Sequence, residues 1–248
     1  MTFFHIYEKL YFFHHRNKKI KGFDLYKRAV IKKKGIEIGG PSRIFKKIIP
    51  IYHFALSIDG VNFCKNTLWE NNLTNNGEFN YFMGKKGIQF IREATSLDNI
   101  VDQRYDFLIS SHCLEHIANP LKALIEWNRV VKKNGYLILV LPNKEANFDR
   151  NRKFTNFEHI LDDYNNKVSE TDLTHLEEII TFHDFNLDKK SGSKENFIKR
   201  AKNNYKIRGL HHHVFNQTLI NKMLDWCGYS VLDFDMDKSN FFTLAVKN

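Results

Sequence analysis

Half of the histidines in this chain are concentrated in one segment that is also rich in acids. Six of the twelve histidines fall between His159 and His213, and the nearest acids are Glu158, Glu177, Glu178 and Asp184. His175 and Glu178 are three residues apart, so on a helix they would share one face. Three interpretations stay open: a general base with orienting acids, a divalent metal site, or surface and capping histidines. The spacing fits no standard zinc template, so no metal ligand is assigned.

Two short stretches have the pattern of strands that end in ligand-binding turns. In Gly35–Ser42, apolar residues predict a strand, and Gly39-Gly40 permits a tight turn and a close approach of the backbone to a ligand. Pro41 suits the first turn of a helix. The second stretch, Tyr105–His116, predicts a later strand with a polar end. Together they favour a nucleotide-type cofactor at the tips of parallel strands.

Asp59 follows Gly39 by 20 residues and comes directly after an apolar segment, Ile51–Ile58, that we interpret as the second strand. A carboxylate at the tip of that strand can accept hydrogen bonds from both hydroxyls of a ribose. The alternative is an Asx-turn, because Asp59-Gly60 is a common turn sequence. The glycine turn that precedes it favours ribose binding.

Strands and helices alternate along the chain, which predicts a largely parallel sheet. Asn119-Pro120 indicates the start of a helix that continues from Leu121 to about Lys133. Residues 143–210 interrupt the alternation, with one helical stretch at 172–182, and indicate an inserted cap. Further strands are predicted at Ile88–Ile91, Tyr105–Ser110 and Tyr136–Leu141, followed by a helix at Asn216–Cys227 and a closing hairpin of Tyr229–Phe234 and Phe241–Val246.

Residues 61–86 are rich in asparagine and contain Trp69 and Glu70. We expect a loop insertion there.

The basic character of the chain is concentrated near its N-terminus. The net charge is +10, and residues 1–34 hold ten Lys or Arg against two acids, Glu8 and Asp24. Phe3, Tyr7 and Leu10 have helical spacing, so an amphipathic helix is expected. It would either rest on an anionic membrane surface or RNA, or pack on the domain as a lid with solvated lysines. The second alternative is favoured, because aromatic residues at this spacing are more often core.

Composition narrows the class of protein further. The chain has 248 residues, enough for one α/β domain with insertions. We find no apolar run long enough for a transmembrane helix and no secretory signal. The three cysteines are far apart, so neither a disulfide framework nor a zinc motif is indicated, and a reducing cytoplasm is the simplest location.

Several motifs, taken together, resemble class I S-adenosylmethionine-dependent methyltransferases. They cover residues 35–143 and 211–248, and comprise Glu37-x-Gly39-Gly40, Asp59, Glu93-Ala94-Thr95, Tyr105–Ser111, Leu114-Glu115-His116-x-x-x-Pro120 and Arg129–Tyr136. The resemblance implies a Rossmann-like sheet, mostly parallel with an antiparallel C-terminal edge hairpin, plus the inserted helical cap. It divides the chain into an N-terminal helix or tail (1–34) and a methyltransferase domain (35–248).

The resemblance also implies how the residues would act on S-adenosylmethionine. Glu37 would lie near its ammonium, and Asp59 would hold its ribose. The other cofactor-binding residues would be Gly39, Gly40, Pro41, Ala94, Thr95, Ser111 and His112. We expect the catalytic residues to be His112, His175 and His211, and the acceptor to be bound by Glu158, His159, Glu178 and His213. His116 is interpreted as mainly structural.

A narrower resemblance suggests the kind of acceptor. Segments 59–63, 155–159, 174–178 and 211–215 are similar to those of a bacterial group often associated with surface-polysaccharide assembly. This favours methylation of a sugar, a sugar nucleotide or a phosphoramidate-type capsule precursor on oxygen, in the cytoplasm. Ser110-Ser-His-Cys113 replaces the tetrad of amino-group methyltransferases of nucleic-acid bases, so no DNA partner is expected.

Three alternatives remain: methylation of RNA, methylation of a small metabolite, and a methyltransferase-like binding protein without catalysis. A divalent metal and peripheral membrane contact through the basic segment also stay open.

Overall fold

The computed structural model describes residues 20–189 and 191–248, in which one mixed sheet of eight strands forms the centre of the chain. Along the sheet the strands follow the order β3-β4-β2-β1-β5-β6-β8-β7. Their bounds are β1 Lys34–Ile38, β2 Ser57–Asn62, β3 Gly77–Phe82, β4 Lys85–Ile91, β5 Tyr105–Ser111, β6 Val131–Pro142, β7 Tyr229–Met236 and β8 Asn240–Lys247.

The five central strands are parallel, and an antiparallel hairpin closes each edge. The C-terminal hairpin, β7–β8, was predicted, and the predicted fold class is confirmed. The second hairpin, β3–β4, was not predicted, because β3 and the turn after it lie in residues 61–86, the segment expected to be a loop. That turn contains Met83 and Gly84, both with positive φ, which a hairpin turn uses to reverse the chain.

Eight α-helices are found in the described part of the chain. Their bounds are α1 Phe23–Val30, α2 Arg43–Lys47, α3 Pro120–Val130, α4 Phe157–Asn165, α5 Leu176–Phe182, α6 Lys194–Ala201, α7 Asn204–Ile207 and α8 Gln217–Trp226. Short 3-10 turns lie at Leu114–His116 and Lys144–Ala146. None of the described helices is long and apolar enough to cross a bilayer.

Apolar side chains cover both faces of the sheet, because successive residues of a strand point to opposite sides. In β6, Leu137 and Leu139 belong to the cluster packed against α3 and α8. Ile138 and Val140 of the same strand belong to the cluster packed against α1 and α2. A third, smaller cluster joins α5 and α6 in residues 143–210.

Two predicted element boundaries, the start of the second strand and the end of the helix before β6, are wrong because pairing with distant strands sets them. The second strand was expected at Ile51–Ile58, but β2 begins at Ser57, because its partner β1 begins at Lys34 and pairs with it from Ser57 onward. The helix expected to reach Lys133 ends at Val130. β6 starts at once, and its Val131 pairs with Tyr105. Asn134, with positive φ, lies where the β5–β6 register shifts and does not end a helix.

The predicted N-terminal segment is only partly described. Phe3, Tyr7 and Leu10 lie outside the described residues. Within the remainder, α1 buries Phe23 and Tyr26 in the cluster that contains Ile138 and Val140. The described part of the segment therefore packs on the sheet.

Trp127 tests the packing between α3 and the sheet. It is fully buried, and its indole Nε1 donates to the carbonyl oxygen of Ala94 at 3.0 Å. We expect Trp127→Ala to lower the free energy of unfolding by about 3–5 kcal/mol, measured by urea denaturation. Trp226→Ala is the matched control, because Trp226 is 41% exposed. Equal losses in both variants would contradict this account of the core.

Candidate active site

A cavity of about 430 Å³ opens at the carboxyl ends of β1, β2, β4 and β5. In open α/β sheets, ligands bind at this edge, where successive strand tips leave a crevice. Its lining comprises Ile38, Gly39, Pro41, Ser42, Arg43, Ile44, Val61, Asn62, Phe63, Trp69, Glu70, Arg92, Glu93, Ala94, Ser111, His112, Cys113, His116, Ile117 and Arg208. A cavity of this volume, lined mainly by apolar atoms with a few polar groups, suits a nucleoside-type ligand.

Gly39 forms the floor of the cavity at the tip of β1. Its φ is +79°, and its N–H donates to the carbonyl oxygen of Val61 at 2.9 Å. A Cβ at this position would lie 3.0 Å from Sγ of Cys113. The backbone conformation and the lack of space both require glycine here.

Glu37 does not reach the cavity, contrary to its predicted place beside the cofactor's ammonium. It is fully buried beneath the glycine turn, where its carboxyl group accepts hydrogen bonds from the Tyr52 hydroxyl (2.6 Å) and the Ser42 N–H (3.0 Å). Burial raises the pKa of Glu37 to about 8, although both hydrogen bonds act to lower it. A Cβ on Gly40 would lie 2.1 Å from the Glu37 carboxyl carbon, so Gly40 makes room for Glu37.

Pro41 lines the cavity, but its predicted place in the first turn of a helix is wrong. The helix α2 begins at Arg43, and the hydroxyl of Ser42 caps it by accepting from the Ile44 N–H. Pro41 therefore belongs to the turn that leads into α2.

Asp59 lies inside β2, not at its tip, so the prediction of ribose contact there is wrong. In the parallel register it is level with Ile36, three residues before Gly39. Its carboxylate accepts from the Tyr105 hydroxyl (2.7 Å), Arg104 (3.3 Å) and the Ile88 N–H (2.9 Å). Asp59 therefore braces neighbouring strands of the sheet, and the Asx-turn alternative is excluded as well.

Asn62 occupies the tip position that had been expected for Asp59. It lines the cavity, and its side-chain Nδ2 donates to the carbonyl oxygen of Gly40 at 3.1 Å. The tip of β2 is thereby tied to the glycine turn of β1. The amide also brings a polar group to the edge where a ribose would lie.

Two acids, Glu70 and Glu93, line the cavity. Neither was named from the sequence as a cofactor-binding or acceptor-binding residue. Glu93 accepts from Arg208 at 2.8 Å, which joins the β4 end to the segment after α7. Of the two neighbouring residues assigned to the cofactor from the sequence, Ala94 lines the cavity and Thr95 does not. Trp69 and Glu70 come from the expected loop insertion, which therefore contributes directly to the site.

Ser111 and His112, which were assigned to the cofactor from the sequence, line the cavity at the end of β5. His112 has positive φ, and its Nε2 donates to Oδ1 of Asn240 at 2.8 Å. Its Nδ1 lies 3.5 Å from the carboxylate of Glu115. Glu115 is fully buried, and burial raises its pKa, opposed by electrostatic interactions with His112 and His211. Neither carboxylate oxygen of Glu115 has a hydrogen-bond partner within residues 20–189 and 191–248.

His116 lines the cavity, although the sequence indicated a mainly structural role. Its Nδ1 donates to the carbonyl oxygen of Leu210 at 2.9 Å, which leaves Nε2 as the acceptor nitrogen of the neutral ring. Burial, followed by the charge of His211, holds the pKa of His116 well below its usual range. The ring also packs against Trp69, with centroids 5.3 Å apart. The site therefore holds a neutral imidazole beside an aromatic surface.

His211, a predicted catalytic residue, lies behind His116 and not in the cavity lining. Its Nδ1 is 2.5 Å from Oδ2 of Asp149, and Arg152 donates to the other oxygen of that carboxylate at 2.9 Å. Burial lowers the pKa of His211, but Asp149 outweighs it and the net shift is upward. The two cations hold the pKa of Asp149 low against the effect of its burial.

His159, His175 and His213 do not line the cavity. They surround Asp163 instead, and burial lowers the pKa of His175 and His213. Of the two acids predicted to bind the acceptor, Glu158 is exposed in the first turn of α4. Glu178 accepts from Arg152 at 3.1 Å. The predicted single group of histidines is therefore divided, and among the histidines of residues 20–189 and 191–248 His112 and His116 are the two that line the cavity.

Comparisons with known proteins agree with this geometry. A family model described as a methyltransferase domain matches residues 12–190, so the chain belongs to that methyltransferase family. No curated protein matches the chain significantly.

Solved structures of methyltransferases share the fold. A SAM-dependent methyltransferase from Thermotoga maritima, described as a possible histamine N-methyltransferase, has a TM-score of 0.51 and 16% identity, covering 99% of this chain and 97% of that one. A putative methyltransferase from Bacillus halodurans has a TM-score of 0.50 and 12% identity, covering 90% and 97%.

Fold, family and site together define a class I, S-adenosylmethionine-dependent methyltransferase. The residues present fit that cofactor, because Gly39, which has no side chain, lets the backbone of the glycine turn line the cavity at the strand tips. The predicted enzyme class and cofactor are confirmed at this level.

Gly39→Ala tests whether the glycine turn holds the cofactor. We expect it to weaken S-adenosylhomocysteine binding, measured by calorimetry, by at least about tenfold, or about 1.4 kcal/mol. The control is Gly84→Ala: Gly84 has the same φ of +79°, but its added Cβ would have no neighbour within 4 Å in the described chain. Backbone strain should lower the stability of both variants by about 1–2 kcal/mol. Comparable affinities for the two would refute the assignment.

Asn62→Ala tests the reassignment of the β2 tip. We expect roughly tenfold weaker binding of S-adenosylhomocysteine, because the variant loses one or two hydrogen bonds at the tip. Asp59→Asn should keep that affinity and lower the melting temperature instead, because Asp59 braces strands away from the cavity. If Asp59→Asn loses affinity and Asn62→Ala keeps it, Asp59 is the ribose-binding residue, as the sequence predicted.

Proposed function

We propose that this methyltransferase transfers a methyl group to an oxygen of a sugar, sugar nucleotide or phosphoramidate-type precursor in the cytoplasmic assembly of a surface polysaccharide such as a capsule. The observation that carries the proposal is the neutral His116 imidazole in the wall of the cavity, beside the β5 end where Ser111 and His112 lie. Support for the polysaccharide context comes from the bacterial group that the sequence resembles.

The reaction requires a base, because a hydroxyl that gains a methyl group must lose its proton. S-adenosylmethionine, when bound, supplies a methyl group on a sulfonium centre. In this proposal Nε2 of His116 takes up the hydroxyl proton during methyl transfer, while Nδ1 stays bonded to the Leu210 carbonyl oxygen. Because the pKa of the ring is low, the proton is then released to water. His112, held by Asn240 and facing the Glu115 carboxylate, orients the acceptor from the other side.

The rim of the cavity is chemically suited to a charged sugar. Trp69 is 54% exposed and lies against His116, so its indole face is open to the apolar face of a sugar ring. Arg43 also lines the cavity, and a guanidinium group can bind the phosphate of a sugar nucleotide in a bidentate manner. Arg92 lines the cavity too, with its Nε and Nη1 already donating to backbone carbonyl oxygens. Residues 143–210, which include the arginine that holds Asp149, form the acceptor-side cap in this proposal.

An acceptor panel tests the proposal. The full chain is incubated with methyl-labelled S-adenosylmethionine and, separately, with sugar nucleotides, sugar phosphates, phosphoramidate-modified sugars, total RNA and a small amine. We expect label in the sugar class, located on oxygen by mass spectrometry. Label only in RNA or in the amine would overturn the proposal in favour of the corresponding alternative.

Histidine variants separate catalysis from binding in the same assay. His116→Gln should reduce the turnover of the best acceptor by about 10²–10⁴-fold, the usual contribution of a general base, and keep S-adenosylhomocysteine affinity. His53→Gln is the control, because His53 packs against Phe54 and Phe82 outside the cavity lining and outside residues 143–213, and this variant should retain most of the turnover. If His53→Gln is as damaging as His116→Gln, the assignment of His116 as the base is wrong.

A further inference from the structure

A second group of side chains lies apart from the cavity, and we call it the histidine cluster: His159, Asp163, His175 and His213. His159 and Asp163 are one turn apart on α4, so they project from the same face. His175 immediately precedes α5, and His213 lies in the segment between α7 and α8. Each residue offers one ligand atom, and all four atoms lie within 4.8 Å of one another.

The separations within the histidine cluster match those of ligands around one cation. Nε2 of His159 lies 3.1 Å from Nε2 of His175 and 3.4 Å from Oδ2 of Asp163. Nε2 of His213 lies 3.6 Å from the same oxygen. Ligands at 2.0–2.1 Å from a tetrahedral zinc ion are about 3.3 Å apart. Three of the six separations in the cluster lie close to that value, and none of the six exceeds 4.8 Å.

Hydrogen bonding alone does not satisfy these groups. Two imidazoles that meet through Nε2 share a single hydrogen bond, which leaves Asp163 out. Oδ2 of Asp163 has no hydrogen-bond partner in the described part of the chain, and Asp163 is more than nine-tenths buried. Nε2 of His213 lies 3.2 Å from the carbonyl oxygen of Ala118, a contact that binding of a cation would replace. Buried polar atoms without a partner are rare in folded proteins and call for an explanation such as a bound ion.

We propose that the histidine cluster is a structural metal site that binds one divalent cation, with Zn²⁺ as the best match. Three imidazoles and one carboxylate are nitrogen and oxygen ligands typical of zinc, and four protein ligands leave no open position for a substrate. The ion ties α4, the start of α5 and the segment with His213 into one unit. This inference does not depend on the identity of the methyl acceptor.

The metal site is connected to the cavity wall by a chain of charged contacts. Nδ1 of His175 lies 3.9 Å from the carboxylate of Glu178, which accepts from Arg152 at 3.1 Å. Arg152 holds Asp149, and Asp149 holds His211 against His116. Carboxylates behind metal-bound histidines orient them, so the ion would also stabilise the position of the catalytic wall.

Metal analysis of the full chain tests the proposal. The purified protein is stripped with a chelator, exposed to Zn²⁺, dialysed and analysed by elemental mass spectrometry. We expect about one equivalent of zinc, and visible absorption bands of a tetrahedral site when Co²⁺ replaces it. His159→Gln and Asp163→Asn should each weaken zinc binding by more than about tenfold, since loss of an outer-shell partner alone costs that much.

His116→Gln is the matched control, because Glu115, His116 and His211 are the other group in the described residues that could hold a cation. This variant should keep its zinc. Zinc lost in His116→Gln but kept in His159→Gln would overturn the proposal, as would a wild-type protein that retains no zinc.

Thermal stability can be measured on the wild-type protein alone, so this test does not depend on whether a variant folds. Chelation should lower the melting temperature of the wild-type protein, and Zn²⁺ should restore it. An unchanged melting temperature on chelation would reject a structural role for the ion. Neither measurement involves methyl transfer, so failure here and failure of the proposed function are distinguishable.

Discussion

The buried carboxyl group of Glu37 is the constraint on which the cavity depends. It occupies the space that a side chain on Gly40 would need and is held there by Tyr52 and Ser42. The glycine turn therefore follows one path, which places Gly39 at the floor of the cavity and Ser42 at the start of α2. A buried polar group with satisfied hydrogen bonds specifies a single local geometry, whereas an apolar contact would tolerate several.

The tips of the neighbouring strands are fixed to this turn and to one another. Asn62 binds the carbonyl oxygen of Gly40, and Asp59 braces β2 against the Tyr105 hydroxyl of β5. These hydrogen bonds hold the strand ends together as one edge. The side chains proposed to contact the methyl acceptor come after that edge in the chain. His112 and His116 come directly after β5, so the rigid sheet positions both imidazoles.

Residues 143–213 contribute Arg208 to the cavity lining and are held together largely by charged contacts, beside one small apolar cluster. Arg152 is almost fully buried and donates hydrogen bonds to Asp149, to Glu178 and to the backbone carbonyl oxygen of His211. Leaving Arg152 or Asp149 unpaired would be costly because both are buried, so their ion pair favours one arrangement of this segment. The proposed metal site would add a second tie within the same region.

The sequence by itself determined the elements whose signals are local. The glycine turn, the capped helix starting at Asn119-Pro120, the polar end of β5 and the C-terminal hairpin are all recognisable from neighbouring residues. Only the tertiary structure decided the register of β2, which moved the strand tip from Asp59 to Asn62, and the separation of the histidines into two groups. Both depend on pairing between residues far apart in the chain, where a shift of one residue reverses every side chain of a strand.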